Sequence, residues 1–399
     1  MSQTFEVEKT CPRTGARAGV IITSHGLVPT PVFMPVGSQA TVKALTPDDL
    51  RDVGATIVLS NAYHLYLRPG VHVIEKMGGL HRFMGWSGPM LTDSGGYQIF
   101  SLASLRRVDD RGVIFRSHID GSEHSLTPED AIELQRRMGA DIIMVLDECP
   151  PYTKDVGQVR QAMERTHKWA ERCRRVARDE EQQVFGIVQG GVFADLRRES
   201  SEYLTSLDFA GYAIGGLSLG EGKEETLAMV EETVACLPAA KPRYLMGVGS
   251  PEDLVENVAR GVDLFDSALP TRTARNGALF TDKGRLNIRN ARYRELDEAI
   301  EPGCDCYTCQ RFSVAYLNHL FRSSELLAYR LATIHNLRFV MRLMGRMRQA
   351  IVEGGFGDFR EGFLAEYRTT DEDVRLAQKQ RWLERAVRVR DECDSTEEP

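Results

Sequence analysis

VFGIV (184–188), YAIGG (212–216), YLMGV (244–248) and VDLFD (262–266) are four short apolar runs that follow one another in a single stretch. Each ends at a glycine, glutamine or aspartate and gives way to polar, helix-prone sequence. Runs of four to eight apolar residues between turn signals fit strands buried on both faces, the kind found in parallel sheets. Four more runs precede them, at 32–36, 56–60, 89–93 and 142–147. Eight strands alternating with helices predict an α/β protein of the (β/α)8 barrel class.

The helix starts agree with this reading. TPDD (46–49), TPED (127–130) and SPED (250–253) each set a hydroxyl before a proline and two acids. The hydroxyl suits the cap, the proline the first helical position and the acids the positive end of the helix dipole. Residues 19–34 and 113–126 read instead as antiparallel hairpin material, so the barrel is predicted to carry N-terminal antiparallel strands and other decorations. Beyond Asp266 come a basic stretch, a cysteine cluster, a long helix over about 324–353 and a charged helix over about 370–391. The expected division is a decorated barrel over 1–270, an inserted zinc-binding subdomain over 271–355, and a C-terminal helical segment over 356–399 that packs on the barrel.

Cys304, Cys306 and Cys309 lie within CDCYTC, with His335 further on. Three thiolates and an imidazole suit a tetrahedral zinc ion, and four protein ligands leave no open position for a reacting water. The expected Zn2+ is therefore structural, one per subunit, and the chemistry belongs elsewhere. Cys11, Cys149, Cys173, Cys236 and Cys393 are scattered, and the start MSQTFEVEKT has no basic region or apolar core of an export signal. They read as reduced thiols of a cytoplasmic chain, and no apolar run suggests a membrane span. The net charge of -7 hides an asymmetry, because 271–350 holds 14 Lys and Arg against 7 Asp and Glu. A basic region beside the metal ligands fits phosphate contacts, or equally a solvated helix surface.

Active-site residues of such barrels sit at the C-terminal ends of the strands. Here those ends carry Asp93, Asp147 and Asp266, with Gln189 and glycine pairs at Gly95-Gly96, Gly190-Gly191 and Gly215-Gly216. Two carboxylates in different environments can divide labour, one attacking a sugar as nucleophile and the other moving a proton. Asp147 can accept a pair of N–H bonds from a planar ligand edge, Gln189 can donate and accept, and Tyr97 and Met246 can cover the ring faces. Taken singly, each aspartate also fits a helix cap. Cys149 reads as a packing residue, since nothing in the sequence activates it. The turn Gly247-Val248-Gly249 lacks the third glycine of a dinucleotide fingerprint, and suits a helix N-terminus that seats phosphate.

The blocks TDSGGYQ (92–98), DEC (147–149), FGIVQGG (185–191), YAIGGL (212–217), YLMGVGSPED (244–253), DLFDSALPTRTARNG (263–277) and CDCYTC with His335 together resemble the tRNA-guanine transglycosylases, bacterial type. The resemblance spans nearly the whole chain. It implies base exchange at the anticodon wobble position of a tRNA with a GUN-type anticodon. Guanine leaves, and the queuosine precursor 7-aminomethyl-7-deazaguanine enters. By the same resemblance, Asp266 is the nucleophile and Asp93 the general acid/base. Asp93, Ser94, Gly95, Gly96, Tyr97, Asp147, Cys149, Gln189, Gly216, Leu217 and Met246 line the base site. Gly247, Val248, Gly249, Ser250, Pro251, Glu252 and Asp253, with Thr271, Arg272, Thr273, Ala274 and Arg275, are the implied RNA contacts. Leu219, where bacterial members commonly carry valine, implies a narrow pocket, and Glu221 implies support for the backbone that reads the amine. The implied assembly is a homodimer. Two other functions remain open: a non-catalytic tRNA-binding subunit, and a barrel glycoside hydrolase.

Overall fold

The structure is a computed structural model that describes residues 4–102, 106–178 and 182–369. Three N-terminal strands, β1 (Phe5–Thr10), β2 (Arg17–Thr23) and β3 (Gly26–Thr30), form an antiparallel sheet. The barrel follows with β4 (Val32–Pro35), β5 (Val58–Asn61) and β6 (Met90–Asp93). A second antiparallel sheet, β7 (Arg106–Asp109), β8 (Gly112–Arg116) and β9 (Glu123–Leu126), interrupts it. The barrel resumes with β10 (Ile142–Met144), β11 (Gln183–Val188), β12 (Gly211–Ile214), β13 (Arg243–Leu245) and β14 (Leu264–Ser267). A last hairpin joins β15 (Ala278–Thr281) to β16 (Gly284–Asn287).

All eight barrel strands are parallel neighbours in the order β4-β14-β13-β12-β11-β10-β6-β5. A bridge between Val36 and Leu59 brings the two edges together, so the sheet is nearly closed. Residues of β4, β5, β6, β11 and β12 are buried along their whole length, as expected where helices cover one face and barrel side chains the other. Glycines make room for large rings. A Cβ on Gly186 would lie 2.7 Å from the Phe209 ring, and one on Gly211 would lie 2.5 Å from the Phe185 ring.

Each apolar run of the sequence became a barrel strand, but several runs overshoot at their C-terminal ends. The backbone turns out of the sheet where Gly216 and Gly247 take positive φ of 67° and 76°. Thr46 and Thr127 make full capping boxes with Asp49 and Asp130. Ser250 does not cap its helix; its hydroxyl donates to Asp253 Oδ2 at 2.5 Å instead. The long helix runs Leu326–Glu353, close to its expected span. Neither β1 nor β7 was expected, and both are largely exposed and polar. The charged helix expected over 370–391 and Cys393 lie outside the described residues.

At the N-terminal end of the barrel, Arg17 grips Asp263 through Nε at 2.9 Å and Nη2 at 2.5 Å, both side chains being buried. That pair locks the N-terminal sheet to the foot of β14. On the other side, Arg330 of the long helix reaches Asp49 at 2.7 Å, and Arg338 donates to the Val53 carbonyl. A separate apolar cluster that includes Leu279, Ile288, Leu317, Phe321 and Leu331 gives this late region its own core. Among the described residues no helix is long and apolar enough to cross a membrane.

Candidate active site at the mouth of the barrel

Strand β6 ends on Asp93, which is paired in register with Asn61, the last residue of β5. Asn61 Nδ2 donates to Asp93 Oδ2 at 2.5 Å, Gln98 Nε2 donates to the same oxygen at 2.8 Å, and the Ala62 amide donates to Oδ1 at 2.8 Å. Burial lifts this carboxyl to about 6; the three donors pull against that rise and the charge of Asp266 adds to it. Asp147 follows β10 and accepts from Gln189 Nε2 at 2.7 Å. Burial takes it to about 6 as well, opposed by Gln189 and reinforced by the charge of Asp93. Asp266, half-buried in β14, holds Tyr244 Oη at 2.6 Å and the Gly247 amide at 2.8 Å, both on Oδ1. Its carboxyl is also raised, by desolvation against those two donors. Asp93 closes β6, Asp147 follows β10 and Asp266 lies near the end of β14, so all three stand at the C-terminal ends of parallel barrel strands.

Close backbone approach explains the glycines. A Cβ on Gly96 would meet Asp147 Oδ1 at 2.6 Å, and one on Gly216 would meet Gln189 Oε1 at 2.3 Å. Ser94, Gly95, Cys149 and Leu217 are buried around them, Met246 is half-buried, and Tyr97 stands 46% exposed at the rim. Burial pushes the Cys149 thiol upward, so it is a neutral packing group. Glu221 accepts from the amides of Ser218, Leu219 and Gly220 and from Thr226 Oγ1, and so fixes the loop after β12. Burial alone would raise its carboxyl, but these hydrogen bonds outweigh it and hold the group ionised.

Four supporting residues were absent from the expected site. Asn61 lies one residue beyond the run read as the second strand, and Gln98 stood in a quoted block without a role. Tyr244 passed as strand filling. Arg197 is wholly buried and binds the carbonyls of Gly191, Val188 and Gly215, tying the loops that carry Gln189 and Gly216. No local signal distinguished it from a surface helix arginine.

The expected RNA contacts divide by exposure. Gly247 and Arg272 are exposed, while Asp253, Thr273 and Arg275 are half-buried. The other seven, Val248, Gly249, Ser250, Pro251, Glu252, Thr271 and Ala274, are buried. In this conformation the accessible side chains of the set are thus those of Asp253, Arg272, Thr273 and Arg275, and Gly247 offers only backbone.

Cys304, Cys306, Cys309 and His335 gather so that one ligand atom from each lies within 4.8 Å of the others. His335 Nε2 is 2.7 Å from the Phe280 carbonyl, which fixes the proton on that nitrogen and turns Nδ1 toward the sulfurs. A donor set of three sulfurs and one imidazole nitrogen fits a soft or borderline metal ion. A second cluster, His25, His81 and Asp141, sits at the opposite end of the barrel. Its imidazoles stack 3.7 Å apart at 15°, with one nitrogen toward each oxygen of Asp141. Stacked rings send their in-plane lone pairs side by side rather than to one point, so this cluster reads as an electrostatic tie in which His25 hydrogen-bonds Asp141 and His81 stacks behind it.

The raised carboxyls make a stability prediction. Asp147 binds its proton more tightly folded than unfolded, so its contribution falls as pH rises from the ordinary carboxylate value through about 6. Asp147→Asn should gain about 1–3 kcal/mol of unfolding free energy at pH 8, and little at pH 4. Urea denaturation at both values is the check, and a pH-independent difference would contradict it.

Residues 11–369 match the family model described as Queuine tRNA-ribosyltransferase. A protein named queuine tRNA-ribosyltransferase from Dehalococcoides mccartyi (strain ATCC BAA-2266 / KCTC 15142 / 195) is 58% identical over 383 residues, 96% of this chain and 98% of its own. One of the same name from Thermoanaerobacter sp. (strain X514) is 56% identical over 91% of this chain and 97% of its own. Another, from Halothermothrix orenii (strain H 168 / OCM 544 / DSM 9562), is 53% identical over 92% and 98%. With that extent of match added to the barrel and its ring of carboxylates, the chain belongs to the queuine tRNA-ribosyltransferase family.

Proposed function

We propose that this protein exchanges guanine for 7-aminomethyl-7-deazaguanine at the wobble position of tRNA with a GUN-type anticodon, through a covalent aspartyl-ribose intermediate. The observation that supports the reading is that Asp93 and Asp266 both lie at the C-terminal ends of barrel strands and, among the described residues, are held by neutral donors with no cation on either. Asp266 attacks the anomeric carbon as guanine leaves, and the incoming base then displaces the aspartate. Asp93, lifted to about 6, is poised near neutral pH to give a proton to the departing base and take one from the next. Asp147 and Gln189 offer a carboxylate and an amide side by side to the purine-like edge. The RNA reaches the site as a splayed single-stranded loop, whose bases expose their edges. Arg272 and Gly247 are the exposed contacts on its path.

Zinc is the ion proposed for the cysteine–histidine cluster. Cys304, Cys306, Cys309 and His335 would hold it, and its contribution when bound is to cross-link the segment 304–309, which leads into a short helix, to the long helix. The 271–355 subdomain is read as the element that orients RNA, and the assembly as a cytoplasmic homodimer. Exposed Tyr307 and Tyr316, the latter stacked on Phe312, support a protein-covered surface there. Leu219 in the loop fixed by Glu221 supports a pocket that takes the small precursor base and excludes queuine.

A base-incorporation assay tests the main reading. Purified protein alone should exchange labelled guanine and 7-aminomethyl-7-deazaguanine into cognate tRNA and leave queuine out. Asp266→Asn should lower exchange by about 10³-fold or more. Silence of the wild-type protein would favour a non-catalytic subunit, turnover of simple glycosides without RNA would favour a hydrolase, and efficient queuine entry would refute the narrow pocket.

The metal reading predicts that Cys306→Ser loses most of its zinc by elemental analysis and melts about 5 °C or more lower. Wild-type zinc content and melting temperature in that variant would take Cys306 out of the ligand set.

A further inference from the structure

The two oxygens of Asp266 are not equivalent. Oδ1 is held by the Tyr244 hydroxyl at 2.6 Å and the Gly247 amide at 2.8 Å, and among the described residues no donor holds Oδ2. Tyr244 is fully buried, and its hydroxyl is kept protonated by burial and by the charge of Asp266, so it can only donate to that carboxylate. Gly247 lies on the turn after β13 with φ of 76°, a conformation that aims its amide at the same oxygen.

We infer that Tyr244 and the Gly247 amide form an anion seat for Asp266 Oδ1, that Oδ2 is the attacking atom, and that Tyr244 is a positioning residue for both half-reactions. The inference rests on the reading of Asp266 as nucleophile. In the first half, an Oδ2 electron pair forms the bond to the anomeric carbon while the carbon–nitrogen bond to guanine breaks. Its electron pair goes to the ring nitrogen, which takes a proton from Asp93. Oδ1 becomes the carbonyl oxygen of the ester and keeps both donors. In the second half, the incoming base supplies the electron pair for the new carbon–nitrogen bond and gives its ring proton to Asp93. The carbon–oxygen bond breaks, and the returning charge spreads onto an Oδ1 already facing two hydrogens. A seat that needs no reorganisation stabilises the carboxylate as it leaves, as donors aimed at a developing oxyanion do. The same donors favour the ionised form of Asp266 against burial, which the attack requires.

The test is single-turnover formation of the protein–tRNA adduct across pH, with the incoming base withheld. Tyr244→Phe should slow adduct formation about 10- to 100-fold and move its acid limb to higher pH, because a carboxylate that loses a donor is harder to ionise. Release of the adduct by added base should slow as well, while non-covalent tRNA affinity stays within about twofold. Replacing Tyr244 by 3-fluorotyrosine keeps the shape and strengthens the donor, and should move the acid limb to lower pH. Unmoved acid limbs in both variants would overturn the seat while leaving adduct formation by the wild type intact. Absence of an adduct in the wild type would instead remove the nucleophile reading beneath it.

Discussion

Three buried or half-buried carboxylates share one barrel mouth, and among the described residues none of them has a cationic partner. The hydrogen-bond donors that hold Asp93, Asp147 and Asp266 are neutral: amide side chains, a phenol, backbone N–H groups and the Ser94 hydroxyl. A guanidinium beside any of them would hold it ionised and occupied, whereas neutral donors orient a carboxylate and leave it raised and reactive. The buried cations of the barrel point elsewhere. Arg197 is directed at carbonyls, and Arg17 is sequestered with Asp263 at the other end of the barrel. The site's chemistry follows from that exclusion, and so does its energetic burden, since the fold must accommodate three acids it does not neutralise.

The late region supplies a different kind of constraint. Its excess of basic residues is less available to RNA than the charge count suggested, because Arg330, Arg338, Arg346 and Arg348 are paired with Asp49, Asp305, Asp282 and Glu8. Two of those partners, Asp49 and Glu8, belong to the barrel side of the molecule. Part of the charge asymmetry therefore fastens one region to the other. A metal clip inside a region that is itself tied down by ion pairs would fix the long helix relative to the barrel mouth.

Much of this could be read from residue order. Strand existence followed from eight apolar runs, because parallel strands buried on both faces leave an unbroken apolar signature. The cysteine spacing and the capping motifs at Thr46 and Thr127 carry their own local geometry. Groups whose meaning is purely tertiary escaped. Asn61 matters because β5 lies beside β6 in register, and Tyr244 because β13 lies beside β14. Arg197 matters because two loops distant in sequence present carbonyls to it. β7 is mostly polar, and its pairing with β8 rather than its own pattern makes it a strand. Ser250 had the composition of a cap, but its hydroxyl is captured by Asp253.

The central claim is that a sugar is carried for a time on one particular acid. Mass spectrometry of the protein incubated with cognate tRNA, no incoming base and rapid acid quench addresses it directly. The account predicts a mass increase equal to tRNA less guanine, with the linkage mapping after digestion to the peptide that contains Asp266. A complex that falls apart entirely on denaturation under conditions of active exchange, or a linkage on a peptide without Asp266, would contradict it.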